Sequence, residues 1–154
     1  MIDIGSILDR RCTRSGVGAN SRKRLLEFAS DLLAEHYDLP ARALFDELMN
    51  RERLGSTGLG EGVAIPHCRI PCSRIHAACL SLASPVDYDA IDGAPVDLVF
   101  VLIVPPEETS AHLEILAALA RLYGSADNRK RLRAAASDEE LFELFTGLLA
   151  SQAA

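Results

Sequence analysis

Two histidines and a run of glycines are the residues whose types and spacing could do chemistry. Four of the ten glycines fall within Gly55-Ser56-Thr57-Gly58-Leu59-Gly60-Glu61-Gly62. A loop this rich in glycine can adopt φ > 0 and turn several backbone N–H groups inward, as an anion cradle does. Val63-Ala64-Ile65-Pro66-His67 follows directly: a short apolar strand that delivers a histidine, with Pro66 fixing the backbone just before it. An imidazole with an ordinary pKa of about 6.5 is substantially neutral in the cell. Its free ring nitrogen can attack phosphorus and later act as leaving group, making a reversible phosphoramidate. A histidine by itself is more often a residue that merely hydrogen-bonds its own loop. Beside the hydroxyls of Ser56 and Thr57 and a potential N–H nest, His67 is the first candidate. His112, in Ala111-His112-Leu113 at a helix start, is the second. A site there could meet His67 across adjacent strand ends, although spacing alone reads it equally well as a first-turn polar residue.

Rival chemistries can be tested on the same residues. Gly55 to Gly60 has the P-loop spacing, but Glu61-Gly62 stand where Lys and Ser/Thr are required. The loop also follows a helical pattern and precedes a strand, the reverse of the P-loop and Rossmann contexts. Both nucleotide readings fail. His67, Cys68, Cys72, His76 and Cys79 are close enough in sequence to suggest zinc. Their C-x₃-C-x₃-H-x₂-C spacing matches none of the common structural zinc patterns, and strand alternation would send His76 and Cys79 to opposite faces. No metal and no cofactor is expected.

The elements that must position these residues can be read from periodicity. The first begins at Ser21, a good N-cap, with Leu25, Leu26, Phe28, Ala29, Leu32 and Leu33 on one helical face. Asp38-Leu39-Pro40 breaks it, and Pro40 suits the first turn of a second helix carrying Leu44, Phe45, Leu48 and Met49 and ending near Arg51-Glu52-Arg53. Val63 to Ile65 is a strand stopped by Pro66, His76 to Ala83 is another, and Val96 to Val104 is a near-continuous apolar run. That last pattern belongs to a strand covered on both faces. Ala111 to Tyr123 is amphipathic, Asp127 can cap the next helix, and Ser137-Asp138-Glu139-Glu140 is a capping box opening the last. The terminal SQAA is expected to fray. The pattern predicts a single α/β (α+β) domain spanning 1–154, with a sheet of about five strands covered by helices on both sides.

Composition bounds what such a domain does. With 154 residues, 49% hydrophobic and 25% charged, the chain can bury one substantial core. Sixteen Lys and Arg against 22 Asp and Glu leave a formal charge of −6, which argues against a general nucleic-acid binder. No apolar run approaches the ~20 residues needed to span a bilayer. MIDIGSILDRR has no apolar signal core, so a cytoplasmic location and four free thiols are expected.

At this point the ordered strings carry a resemblance. Arg51-Glu52, then GSTGLGEGVAIPH, DAIDGAPVDLVFVLIVP and AHLEILAALA resemble the IIA component (type 2) of the bacterial phosphotransferase system, of the fructose/mannitol class. The nitrogen-regulatory branch is the nearest, and the similarity runs from LDRRCTRS to RLRAAASDEELFEL. It implies a helix-covered mixed sheet and a phosphotransferase role as a phosphohistidine carrier. By position, the resemblance makes His67 the phosphoryl acceptor, through Nε2, and His112 a supporting histidine. Arg51, Glu52, Ser56 and Thr57 match residues that support the phosphate site. The implied partners are an HPr-like phosphocarrier of the nitrogen branch and regulatory targets bound according to phosphorylation state. Cys68-Arg69 stands where the family commonly has Gly-Lys, and Leu113-Glu114 where it commonly has Leu-His. Two alternatives stay open: a sugar-specific IIA domain passing phosphate to a IIB cysteine, and a metal-binding or inert interaction module.

Overall fold

The apolar run Val96–Val104 lies at the centre of a six-stranded mixed sheet in the computed structural model, which describes residues 4–108 and 110–153. A short 3₁₀ turn at Ile4–Ser6 leads into β1 (Leu8–Val17), α1 (Arg22–Tyr37) and α2 (Ala41–Arg53). Three short strands follow, β2 (Gly58–Gly60), β3 (Val63–Ala64) and β4 (His67–Arg69), then the long β5 (His76–Val86) and β6 (Val96–Val104). The chain ends in α3 (Ala111–Gly124), α4 (Ala126–Ala134) and α5 (Asp138–Ala153).

The sheet order is β1-β5-β6-β3-β2, with β4 also paired to β6. β5 and β6 are antiparallel, while β1 runs parallel to β5, and β3 and β4 run parallel to β6. Alternate residues of β6 serve two cores. Val99, Val101 and Ile103 pack with Leu25, Leu33, Leu44 and Leu48 of α1 and α2. Leu98, Phe100 and Leu102 pack with Ile115, Leu119 and Phe145 of α3 and α5. Each such buried side chain contributes roughly 1.5–3 kcal/mol, so coverage on both faces makes β6 the rigid rail against which the site is set.

The local signals explain most boundaries. Ser21 accepts the N–H of Arg24 at 3.1 Å and caps α1, which ends with Asp38 in the left-handed region at φ 53°. Pro40 sits one residue earlier than expected, at the N-cap of α2 rather than inside its first turn. Ser125, not Asp127, caps α4, accepting the N–H of Asn128 at 3.2 Å; Asp127 falls within the first turn. Ser137 accepts from Glu140 N–H at 3.0 Å, and the Glu140 carboxylate reaches back to Ala136 N–H at 3.1 Å. The expected fraying of SQAA is corrected for Ser151 to Ala153, which continue α5; Gln152 donates to Ala118 O at 3.0 Å. Ala154 lies outside the described residues.

The sheet has six strands against an expected total of about five; β1, β2 and β4 are not among the three strands placed from sequence, and β1 is the longest of them. The register of β1 against β5 shifts twice, so its buried residues fall at Leu8, Cys12, Thr13 and Val17. Bulges of this kind erase the two-residue alternation by which a strand is recognised. Arginines on an edge strand are also a known guard against edge-to-edge pairing, and here Arg10, Arg11 and Arg14 interrupt any apolar pattern. No helix among the described residues is long and apolar enough to cross a membrane.

Candidate active site

His67 opens β4 rather than closing the strand before it. Pro66 lacks an N–H and interrupts the ladder after β3, yet its carbonyl accepts Leu102 N–H at 2.9 Å, and pairing resumes with His67 opposite Leu102. The histidine is thereby fastened to the central strand. Its Nδ1–H donates to Ile65 O at 2.8 Å, which leaves Nε2 as the nitrogen carrying the lone pair. Burial holds the ring below the ordinary imidazole pKa of 6.5; the Ile65 hydrogen bond opposes this, the charge of Arg51 adds to it, Glu52 opposes it, and His112 adds a smaller push downward. The result is a neutral, oriented imidazole at neutral pH.

His67 lines a groove of about 480 Å³ together with Glu47, Asn50, Arg51, Leu54, Cys68, Arg69, Val104 and His112. The two sequence-derived histidines are therefore brought to one place, His67 from β4 and His112 from the first turn of α3. Arg51, in the last turn of α2, joins them and donates to Gly55 O at 2.8 Å. Arg69 stands beside them with its second terminal nitrogen 3.4 and 3.5 Å from the ring nitrogens of His112. The Arg51 guanidinium at a groove with one free imidazole nitrogen suits a dianionic phosphoryl group.

Glu52, Ser56 and Thr57 are placed elsewhere. The Glu52 carboxylate is 4% exposed and accepts from Thr57 N–H at 3.0 Å, from the Thr57 hydroxyl, and from Tyr88 O–H at 2.9 Å. Ser56 donates to Tyr88 O at 3.0 Å and accepts Gly58 N–H at 3.0 Å. These side chains hold the corner between α2 and β2 and do not line the groove. The glycine run likewise forms a hairpin in place of the expected anion cradle. Glu61 and Gly62, at φ 58° and 81°, make the two-residue turn between β2 and β3. A Cβ at Gly62 would lie 2.3 Å from the Arg133 guanidinium, which itself donates to Glu61 O. The loop amides are taken up internally: Thr57 N–H by Glu52, Gly58 N–H by Ser56, and Glu61 N–H by Asp92.

Sequence reasoning missed the face that α2 contributes. Glu47, Asn50, Arg51 and Leu54 follow one another at i, i+3, i+4 and i+7, so helical spacing counted forward from Glu47 gathers them on one face. His76 packs tilted against the Tyr37 ring of α1 while Cys79 packs near Tyr123 of α3, so these two residues, weighed as metal ligands, point to different faces. Among the described residues, no three His, Cys, Asp or Glu groups gather to hold a metal ion.

A helix-covered mixed sheet whose central strand fixes a half-buried histidine at a cationic groove defines a class, the phosphoryl-carrier domains. Residues 6–147 match the family model described as the phosphoenolpyruvate-dependent sugar phosphotransferase system, EIIA 2. The chain belongs to this family, on its nitrogen-regulatory branch. It is 45% identical over 146 residues to the nitrogen regulatory protein of Pseudomonas aeruginosa, covering 94% of this chain and 95% of that one. Identity to the nitrogen regulatory protein of Escherichia coli is 42% over 147 residues, covering 94% and 90%. The crystal structure of the nitrogen regulatory protein IIA-Ntr from Neisseria meningitidis superposes with a TM-score of 0.84 at 40% identity, covering 92% of this chain and 97% of that chain.

Proposed function

We propose that His67 accepts a phosphoryl group through Nε2 from a phosphohistidine on an HPr-like carrier of the nitrogen branch, and that its occupancy governs which regulatory proteins bind. The observation that carries this reading is the Nδ1–H bond to Ile65 O at 2.8 Å, which frees Nε2 in a ring kept neutral by burial. In the transfer the donor's N–P bond breaks as the Nε2–P bond forms, which leaves the ring an imidazolium while Nδ1–H stays on Ile65 O; loss of that proton to solvent returns the phosphorylated ring to neutrality. Arg51 offsets the charge of the phosphoryl group, and His112 orients it without accepting it. Residues 1–154 act as one unit, and the work is done in the cytoplasm. The family match over residues 6–147 and the two cores sharing one sheet support the first; the four free thiols support the second.

Regulation follows from charge. A phosphorylated side chain carries about −1.5 to −2 charges at neutral pH, added here to a chain at −6. A basic partner face gains attraction at the groove rim and an acidic or apolar one loses it. Incubation with phosphorylated carrier should give an acid-labile, base-stable phosphate on the native protein and none on His67→Ala. Equal labelling of both would overturn the assignment. Offering purified IIB domain to the labelled protein separates the regulatory role from a sugar-permease relay, because only the latter drains the label onto a cysteine.

A further inference from the structure

Arg69 is engaged on both sides of the groove. It stands in register with Val104, the last residue of β6, where the chain leaves the sheet for α3. The loop there opens with Pro105-Pro106, two residues that offer carbonyls and no N–H donors. One terminal nitrogen of Arg69 gathers these carbonyls, donating to Pro105 O at 3.0 Å, to Pro106 O at 3.2 Å and to Glu108 O. Glu108 then passes the constraint on. Its side-chain oxygen accepts the N–H of Ala111 at 2.8 Å and of Ser110 at 3.2 Å, capping the helix whose second residue is His112. The other terminal nitrogen of Arg69 stands 3.4 and 3.5 Å from the His112 ring nitrogens.

We propose that Arg69 is the positioning residue of the second histidine: it clamps the β6–α3 loop through three carbonyls and sets the His112 ring against the His67 groove. The proposal rests on the reading of His67 as phosphoryl acceptor. A guanidinium suits the task because it carries two terminal nitrogens in a fixed plane, one for the loop and one for the ring. A lysine could satisfy the carbonyls with its single ammonium but would leave the ring without its neighbour. Arg69 thus acts on transfer through His112 and not by touching phosphate.

The test is a double-mutant cycle on single-turnover transfer from phosphorylated carrier, using native protein, Arg69→Lys, Arg69→Met, His112→Ala and the two double variants. A misplaced reacting group can cost up to about a hundredfold in rate, so Arg69→Met should slow transfer about tenfold or more, with the KM for carrier little changed. Arg69→Lys should be slowed to a smaller degree. In the His112→Ala background either Arg69 change should cost less than about twofold, the mark of two residues acting as one. Effects that multiply in the double variants would show that Arg69 works independently of His112, and would overturn the proposal. So would transfer at the native rate in both Arg69 variants. Nitrogen-15 spectra of the unphosphorylated proteins supply an arm that needs no transfer: the His112 ring signals should move in Arg69→Lys while the backbone spectrum elsewhere stays native. Unmoved His112 signals in both variants overturn the proposal whatever the labelling. Absence of label on His67 in the native protein, beside moved His112 signals, would instead overturn the acceptor reading and leave the positioning role supported.

Discussion

Replacing Glu52 should be the most damaging single change outside the apolar cores. Its carboxylate is almost wholly buried and serves the Thr57 N–H, the Thr57 hydroxyl and the Tyr88 hydroxyl, with the Arg22 guanidinium 3.7 Å away. Arg22 reinforces the same corner by donating to Tyr88 O at 3.2 Å. Glu52→Ala removes the shared acceptor. The two hydroxyls, 3.3 Å apart, can turn to each other, but Thr57 N–H is left without a partner and Arg22 without its anion. An unsatisfied buried donor costs about 1–3 kcal/mol, and removing one partner of a buried charge pair costs about 3–5 kcal/mol in total. The expected loss for Glu52→Ala is therefore about 3–5 kcal/mol, since the two figures describe overlapping effects. At roughly 2–4 °C per kcal/mol for a domain of this size, Tm should fall by about 6–20 °C. Glu52→Gln keeps the shape and one oxygen for Thr57 N–H, so it should lose only about 1–2 kcal/mol. Urea unfolding at neutral pH reads both values as shifts of the midpoint at constant m. Labelling of His67 should survive in Glu52→Gln, because the carboxylate holds the corner behind the groove and does not line it. A Glu52→Ala protein within about 0.5 kcal/mol of native would refute the reasoning, since that is the scale of an ordinary surface substitution.

Burial lowers the pKa of His67 from 6.5, so its labelling rate should stay flat above pH 6.5 and decline only below it; a decline beginning above 6.5 would show a ring that is not desolvated. His76, 5% exposed with its ring centroid 4.1 Å from that of Tyr37, is also lowered, first by burial and then by Arg74. Its folded pKa lies below its unfolded one, so its share of stability is complete above pH 6.5 and is lost as pH falls through 6.5 toward the folded value. His76→Phe, which keeps a ring against Tyr37, should lose less stability on acidification through that window, read by urea midpoints on either side of it. Burial pushes the thiols of Cys12 up to about 11 and of Cys68 and Cys79 up to about 12, whereas Cys72 is raised less and is only partly buried. A thiol reagent should therefore modify Cys72 first in the folded protein, Cys68 of the groove lining more slowly, and Cys12 and Cys79 only on unfolding, as mass mapping of the labelled peptides will show.

Much of this protein is written locally in its sequence. The apolar run of β6 announces burial on both faces, because every residue of such a strand meets a neighbour on one side or the other. Ser21, Ser137 and the spacing of leucines place α1 and α5 within a residue or two, since capping and helical periodicity are interactions between near neighbours. His67 is legible for the same reason, standing just after an apolar strand and a proline.

What only the tertiary structure decided is which residues meet across the chain. β1 became visible as a strand through its pairing with β5, since bulges had scrambled its own pattern. Ser56 and Thr57 carry hydroxyls that could have faced a phosphate, but Tyr88, 32 and 31 residues on, draws both toward itself. Arg69 and His112 meet over a separation of 43 residues, and Glu47 and Asn50 reach the groove only because α2 lies beside β4. Chemical type and local periodicity suffice to nominate an acceptor histidine and the elements around it. The identity of its neighbours depends on sheet order and helix docking, which are set by the sum of many weak long-range contacts that no local pattern records.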